Sequence, residues 1–521
     1  MSVSGKDCKV ALKREYSRDP ARSPSPQPSE SEYEIVSFQR DDPENPFNWP
    51  KHKKIWILFV VVVTVLNSTT GSGLAANAAP YIAKEWGISN RALLILPTSI
   101  YLVGYVVGPL LFGPLSETWG RKSIMVWAFL IFTLAMLASA LAPNFASLVI
   151  FRLVAGMGAA CALTVSGAVC ADLHKNPQSR GRAMAVFMAV TTFGPTAGPI
   201  ISGYLAPINW RWSFWTGLIM AGVSAMLLFT IPETYSPVIL KRRAQNLRKE
   251  TGRDNIRAPL ELERSDLSHI VTVVLTRPVR MFFFEAIIFF SCIYLATAYS
   301  IFYMFFQAFP IIYIKTYGFS YGEEGLAFLP IGVGALIACG IYLIWDNVTR
   351  RARARGEKWV QQEEMRRLPL ACMGGPFLVI ACFWLGWSAR SSVHWIVPVL
   401  SGIPYGIGFL LVFMSLLNYI VDAYRIFSAS AMAASGTTRS ICGAILPFAA
   451  RPLYTALGVP WACSLLGFLC VLLSAIPFIF IWKGEALRAR SRFCQHLAQL
   501  EKEAEAKEQA LERSRQETEI A

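Results

Sequence analysis

Twelve apolar blocks dominate the sequence. They lie at about 55–76, 92–115, 123–141, 146–171, 183–206 and 212–231, and again at about 287–314, 323–345, 370–388, 395–419, 428–449 and 460–482. Each is close to the ~20 residues that a helix rising ~1.5 Å per residue needs to cross ~30 Å of hydrocarbon. The expected fold class is an all-α membrane protein with twelve transmembrane helices in two pseudo-symmetric six-helix bundles. Pro195 and Pro199 interrupt the fifth block, which still counts as one span because neighbouring helices can re-satisfy freed backbone groups. Composition agrees with a lipid solvent: of 521 residues, 54% are hydrophobic and 16% charged, against about 25% charged in soluble domains.

A net charge of +15 would suit a nucleic-acid binder, but the placement of the bases points elsewhere. With the N-terminus inside, the loops 116–122, 172–182, 232–280, 346–369 and 420–427 hold 23 Lys and Arg, whereas the outer loops hold only Lys84, Arg91, Arg211, Lys315, Arg390 and Arg451. This asymmetry is the positive-inside pattern, and it puts both tails in the cytosol. Residues 1–50 include Ser23-Pro24-Ser25-Pro26-Gln27-Pro28 and are expected to form a disordered tail. They hold no short apolar core with a cleavage site, so the first span is expected to direct insertion itself. The remaining organisation reads as a bundle over 51–231, a basic central loop over 232–280, a second bundle over 281–482 and a charged tail over 483–521. The loop's Lys241, Arg242, Arg243, Arg248 and Lys249 read as a solvated orientation signal, with contact to anionic lipid as the alternative. Nine of the eleven cysteines sit in apolar runs, where a thiol behaves as a small hydrophobe, so no disulfide framework is expected.

The two halves echo one another. Gly156-Met157-Gly158 and Gly406-Ile407-Gly408 are 250 residues apart, as are Asp172 and Asp422. After the second block, Glu117 precedes Arg121 and Lys122; after the eighth, Asp346 precedes Arg350 and Arg351 at the same spacing. Parallel repeats of this kind mark secondary transporters, which hold substrate near the midplane between halves.

Three runs carry chemistry. In Gly113-Pro114-Leu115-Ser116-Glu117-Thr118-Trp119-Gly120-Arg121-Lys122, Glu117 can pair with Arg121 or with bases on a neighbouring helix, making either a conformational latch or a surface ion pair. Arg152 lies inside the fourth block, where a charge is costly and should face the bundle interior. It can bind an anionic substrate, influence a proton carrier, or hydrogen-bond carbonyls structurally. Gly194-Pro195-Thr196-Ala197-Gly198-Pro199 puts kinks and close-packing glycines in the fifth block.

Together these runs resemble the motifs of the major facilitator superfamily, with Glu117 in place of the usual Asp and Ala155 in place of a Gln. In the fifth-helix motif, Val190 and Pro199 replace glycines. The resemblance narrows to fungal twelve-helix drug:proton antiporters through Asn45-Pro46-Phe47-Asn48-Trp49-Pro50, Pro232-Glu233-Thr234-Tyr235-Ser236-Pro237 and Asn418-Tyr419-Ile420-Val421-Asp422-Ala423-Tyr424. It implies that helices 1, 4, 7 and 10 line the substrate path. The candidates there are Asn67, Thr69, Thr70, Arg152, Thr164, Tyr294, Tyr299, Tyr303, Gln307, Tyr405 and Asn418, with Arg439 added from helix 11.

The acids Glu117, Asp172, Glu285, Asp346 and Asp422 all fall near cytoplasmic ends, and no carboxylate is expected deep in a span. Two intramembrane arginines without such an acid favour an anionic or neutral amphipathic substrate over a polyamine. No complete phosphate loop and no metal-spaced cluster is present, so neither an enzyme nor an ATP-driven pump is expected. The expected function is proton-coupled export of a small organic compound by alternating access. A polyamine or other cation exporter is the first alternative, and a nutrient symporter or non-transporting sensor the second. No cofactor is expected beyond the proton gradient. The expected partners are a small-molecule substrate, protons and membrane lipid, with no nucleic acid. The chain is expected as a monomer in the plasma membrane, or alternatively the vacuolar one.

Overall fold

A computed structural model describes residues 34–39, 41–262, 267–424, 427–491, 493 and 495. The expected tails over 1–33 and 496–521 lie outside the described residues. The first six long helices are α1 Lys51–Gly73, α2 Leu96–Trp119, α3 Arg121–Ala140, α4 Phe145–Leu173, α5 Pro177–Leu205 and α6 Arg211–Thr230. The second six are α7 Ala286–Phe309, α8 Leu329–Ala354, α9 Pro369–Ser388, α10 Gly402–Tyr424, α11 Ser428–Ile445 and α12 Pro447–Arg490. Local signals set several ends: Asn144 opens α4 with a capping box, its side chain accepting from Ser147 N at 2.9 Å. The helix α5 runs unbroken through Pro195 and Pro199.

Eleven of the described helices are long and apolar enough to cross a bilayer. The one that falls short of the expected twelve is α11, which is rich in Ser and Thr and carries Arg439. Its main neighbours are α7 and α2, so much of its small polar surface meets other helices. At Gly458 (φ 73°, ψ 165°) the α12 run is broken, separating residues 447–457, which continue from α11, from the span at 460–482.

Because lipid is as apolar as leucine, close packing rather than hydrophobic burial holds such helices together. The repeat supplies that packing twice. A Cβ on Gly156 would clash with the Tyr101 carbonyl of α2, and one on Gly158 would lie 2.7 Å from the Ala128 carbonyl of α3. In the second half a Cβ on Gly406 would clash with the Ile331 carbonyl of α8, and one on Gly408 would lie 2.6 Å from the Gly374 carbonyl of α9. The two halves meet along α5 with α8 and along α2 with α11.

The described residues 34–39 and 41–50, expected to be disordered with the rest of the first fifty residues, form an ordered strap. The strand β1 (Glu34–Ile35) pairs in parallel with β2 (Ile256–Arg257) of the central loop. Asp42 is buried and bonds Arg243 of the loop helix Ser236–Thr251 at 2.5 Å. Burial works to raise the Asp42 pKa, but the Arg243 contact and backbone N–H groups hold it below the usual carboxylate value. Asn45 accepts from Phe47 N at 3.1 Å, Lys54 Nζ donates to Phe47 O at 2.8 Å, and Trp49 is buried under Lys53. Tertiary pairing supplies the order that local composition lacks. Arg248 likewise bonds Glu261 at 2.7 Å, so Arg243 and Arg248 are held by acids while Arg242 and Lys249 stay exposed.

The repeated glycine contacts make a direct test. Gly156→Ala and Gly406→Ala should each destabilise the protein by about 1–3 kcal/mol through overpacking, read as a lower melting temperature in detergent. Gly340→Ala, whose Cβ would meet nothing within 4 Å, should be neutral or stabilise by up to about 1 kcal/mol.

Candidate substrate path and conformational switch

The glycine and basic residues between α2 and α3 build a junction, though not the one expected. Gly120 has φ +98°, and a Cβ there would strike the Glu233 carboxylate. That carboxylate accepts from Arg121 N at 2.9 Å and Lys122 N at 3.2 Å, and also from Thr234 N and Tyr235 N at 3.0 Å each. An acid at the start of α3 is favoured by the partial positive charge of a helix N-terminus. Arg121 reaches Asp172 at the end of α4 (3.2 Å) and Ser116 Oγ (2.6 Å), and its guanidinium lies 4.5 Å from the Tyr235 ring centre. Lys122 Nζ bonds Phe229 O at 3.0 Å.

Glu117 is exposed and joins no ion pair among the described residues. Neither expected form of the Glu117 contact, a latch to Arg121 or a neighbouring helix or a surface ion pair, is made among the described residues: Arg121 turns across the bundle to Asp172. Gly113 has only Thr164 near a would-be Cβ, at 3.9 Å, so it is a loose packing position.

The second half repeats this arrangement with other partners. Asp422, at the end of α10, bonds Arg366 at 2.8 Å and Arg367 at 2.7 Å. Asp346 is half-buried without an ion pair among the described residues, and Arg350 bonds Asn347 at 3.0 Å. The expected acid-to-base echo after the second and eighth blocks therefore forms no pair in either half, whereas the Asp172–Asp422 echo does. Arg488, at the end of α12, bonds Glu363 at 3.0 Å and Glu364 at 2.7 Å, and Tyr419 and Tyr424 bond Glu364 and Glu285 at 3.4 and 3.0 Å.

At the centre, Arg152 is fully buried. Its Nε donates to Pro97 O at 2.9 Å and its Nη2 to Ser72 O at 3.4 Å, while Nη1 has no acceptor. The guanidinium lies 4.3 Å from the Tyr101 ring centre, within cation–π range. From Ser72 the polar contacts cross between the halves: Ser72 Oγ meets the Tyr303 hydroxyl at 2.9 Å, which meets the Tyr299 hydroxyl at 3.4 Å. Arg439 of α11 lies 5.8 Å from the ring centres of both Tyr299 and Phe413. It is half-buried, with no hydrogen-bond acceptor among the described residues. Arg152, Tyr303, Tyr299 and Arg439 thus form one chain of contacts.

Other candidates are placed differently. Gln307, one turn past Tyr303 on α7, and Asn418 are half-buried without hydrogen-bond partners among the described residues. Thr70 is buried with an unpartnered hydroxyl. Asn67 turns to Ser224 of α6 at 3.4 Å, and the Tyr294 hydroxyl lies 3.1 Å from a would-be Cβ on Gly375 of α9. Tyr405 donates to Ala298 O at 2.7 Å, tying α10 to α7. Thr69 and Thr164 bond their own helices, at Val65 O and Ala160 O. In the fifth-helix motif, Gly194 packs on Thr69, and a Cβ on Gly198 would lie 2.6 Å from Gly73 of α1; the Pro195 carbonyl and Pro199 ring meet Gly73 as well.

Sequence reasoning missed Glu233, Tyr101, Tyr105 and Glu324. The hydroxyls of Tyr101 and Tyr105 converge on Ser68 O at 2.6 and 2.9 Å. Their i, i+4 spacing on α2 was the available signal, passed over because α2 was not counted as lining the path. Glu324, at the start of the segment leading into α8, is fully buried. It is a buried acid at the outer end of the eighth block, away from the cytoplasmic ends where the other acids were placed.

A polytopic helical bundle of two repeats, joined between them by a polar contact from Ser72 to Tyr303, is the architecture of a secondary transporter. The Major Facilitator Superfamily model matches residues 60–447, and the chain belongs to that family. It is 36% identical to the efflux pump FUBT of Fusarium oxysporum over 89% of this chain and 78% of that one. It is 35% identical to the multidrug transporter FLU1 of Candida albicans over 88% and 76%. Among solved structures, the proton:xylose symporter XylE shares the fold, with a TM-score of 0.58 and 18% identity over 84% of this chain and 96% of that one. The protein is a multi-pass membrane transporter and not an enzyme.

The Glu233 junction gives a second test. Glu233→Ala should cost about 1.5–3 kcal/mol, the range for hydrogen bonds to a charged group, read as a lower melting temperature in detergent. Adding Arg121→Ala should then cost little more, because neighbours in one network are not additive. Two losses that simply sum would show that the residues act separately.

Proposed function

We propose that the protein is a proton-coupled exporter of small aromatic or amphipathic organic anions, working by alternating access between two six-helix halves. The observation that carries this reading is the pair of under-satisfied guanidiniums, Arg152 and Arg439, bracketing Tyr299 and Tyr303. A buried Arg nitrogen without an acceptor leaves a donor available to a carboxylate, and aromatic faces accept planar apolar bodies. The efflux and multidrug relatives support the outward direction, and the fifth-helix motif supports antiport by family likeness.

In this reading α11 is the twelfth span, the basic side is cytoplasmic, and the chain acts as a monomer in the plasma membrane. Arg121–Asp172 and the Asp422 cluster hold the cytoplasmic ends of each half as rigid units that rock about the central path. Gly113, Lys122 and the glycine-proline run of α5 are packing parts of those units.

The test uses purified protein in vesicles with an acid lumen and a pH dye inside. A carboxylated aromatic compound should alkalinise the lumen and spermidine should not. Arg439→Ala should raise the KM for the acid by about tenfold or more, the equivalent of ~1.4 kcal/mol, with little change for a neutral analogue. Alkalinisation by spermidine alone would overturn the anionic assignment and favour a cation exporter, for which the buried Glu324 carboxylate offers a counter-charge.

A further inference from the structure

Glu324 stands where the two halves meet at the ends remote from the basic loops. It is 0% exposed. The short helix Tyr321–Leu326 that carries it lies against the end of α5: a Cβ on Gly325 would be 2.7 Å from the Pro199 carbonyl, and Gly203 abuts the Tyr321 carbonyl. The Glu324 Oε1 has no partner. Its Oε2 receives one bond, from Asn77 Nδ2 just past α1, at 2.5 Å. That same amide nitrogen is 3.2 Å from both the Pro199 and the Tyr321 carbonyls. Three acceptors therefore converge on a group with two hydrogens, and the site is one hydrogen short.

No cation makes up the deficit. The titratable groups facing Glu324 are phenols: Tyr313 from the turn Pro310–Ile314, whose hydroxyl is itself unpartnered, and Tyr321 on its own helix. From α5 the helix that carries it meets Pro199 and Ile200, at Gly325, and from the α1 side Glu324 itself meets Asn77, none of them ionisable. No ion pair reaches Glu324 among the described residues.

We propose that Glu324 is the proton-binding residue of the outer gate, enclosed between α5 and α8 as the neutral acid and forcing those ends apart when ionised. On closing, one carboxyl O–H bond forms with a proton taken from external water, and it supplies the missing hydrogen. On opening, the same bond breaks, and water takes up both the proton and the solvation of the carboxylate. An enclosed ionised carboxylate with a single neutral donor would carry an uncompensated desolvation cost, so closure and protonation are linked. Resting on the export reading above, the consequence is that the empty carrier, open to the outside, closes only with a proton aboard. External acid would then drive the return step.

Gate position is measured apart from transport, so failure of the export reading would not be mistaken for failure of this one. Spin labels on non-natural amino acids replacing Ile208 and Lys315, both exposed at the outer ends of α5 and α7, report the gate in nanodiscs. In the wild type the short-distance population should fall several-fold between about pH 5 and about pH 9. In Glu324→Gln, which keeps the Asn77 contact and supplies hydrogens at any pH, it should stay closed throughout. Asn77→Ala serves as a second variant, losing the closed population at both pH values. A wild-type distance that ignores pH, or a Glu324→Gln variant that follows pH as the wild type does, would overturn the proposal. In vesicles, Glu324→Gln should lose at least about tenfold in proton-driven accumulation, a loss equivalent to ~1.4 kcal/mol.

Discussion

Helices in lipid gain nothing from hiding apolar surface from one another, so the structure depends on how closely their backbones approach. The contacts of α4 with α2 and α3, repeated by α10 with α8 and α9, rest on Gly156, Gly158, Gly406 and Gly408. At each a carbonyl of the neighbouring helix stands where a side chain would be. Dispersion between nearly touching backbones then replaces the hydrophobic effect as the cohesive force. Both halves are packed by this same device, on which the rocking of two halves proposed above depends.

Polar groups divide by depth. At the basic side they are paired: Glu233 over the start of α3, Arg121 on Asp172, Arg366 and Arg367 on Asp422, Arg488 on Glu363 and Glu364. The second half inverts the signs of the first. An acid after α6 meets the start of α3, whereas a base at the end of α12 meets acids before α9. The three runs that narrowed the resemblance, around Asn45, Glu233 and Asp422, all build this paired layer and its strap. Of their residues only Asn418 is a candidate for the substrate path, so the segments that narrow the resemblance say little about the substrate.

Toward the centre the pairing stops. Arg152 keeps one nitrogen without an acceptor, and among the described residues Arg439 meets ring faces and no acceptor. Unsatisfied donors inside a membrane protein are costly, which is why they mark sites that something else completes. Glu324 is the counterpart among acceptors, lying between the halves, so its cost is felt only when they close.

Length and hydropathy in the sequence determined the helical membrane fold, and the 250-residue echo of Gly156 and Asp172 determined the repeat, because bilayer thickness and backbone satisfaction leave few alternatives. Arg152 was legible as an interior charge for the same reason. The partner of each charge was not legible. Glu117 and Arg121 sit one helical step apart in sequence, yet Arg121 chooses Asp172, and Asn77 and Glu324 meet from opposite halves. The ordered strap likewise depends on a strand contributed by residues 256–257. Those choices belong to the tertiary structure alone, since pairing energy depends on distance and burial, and neither exists until the helices have packed.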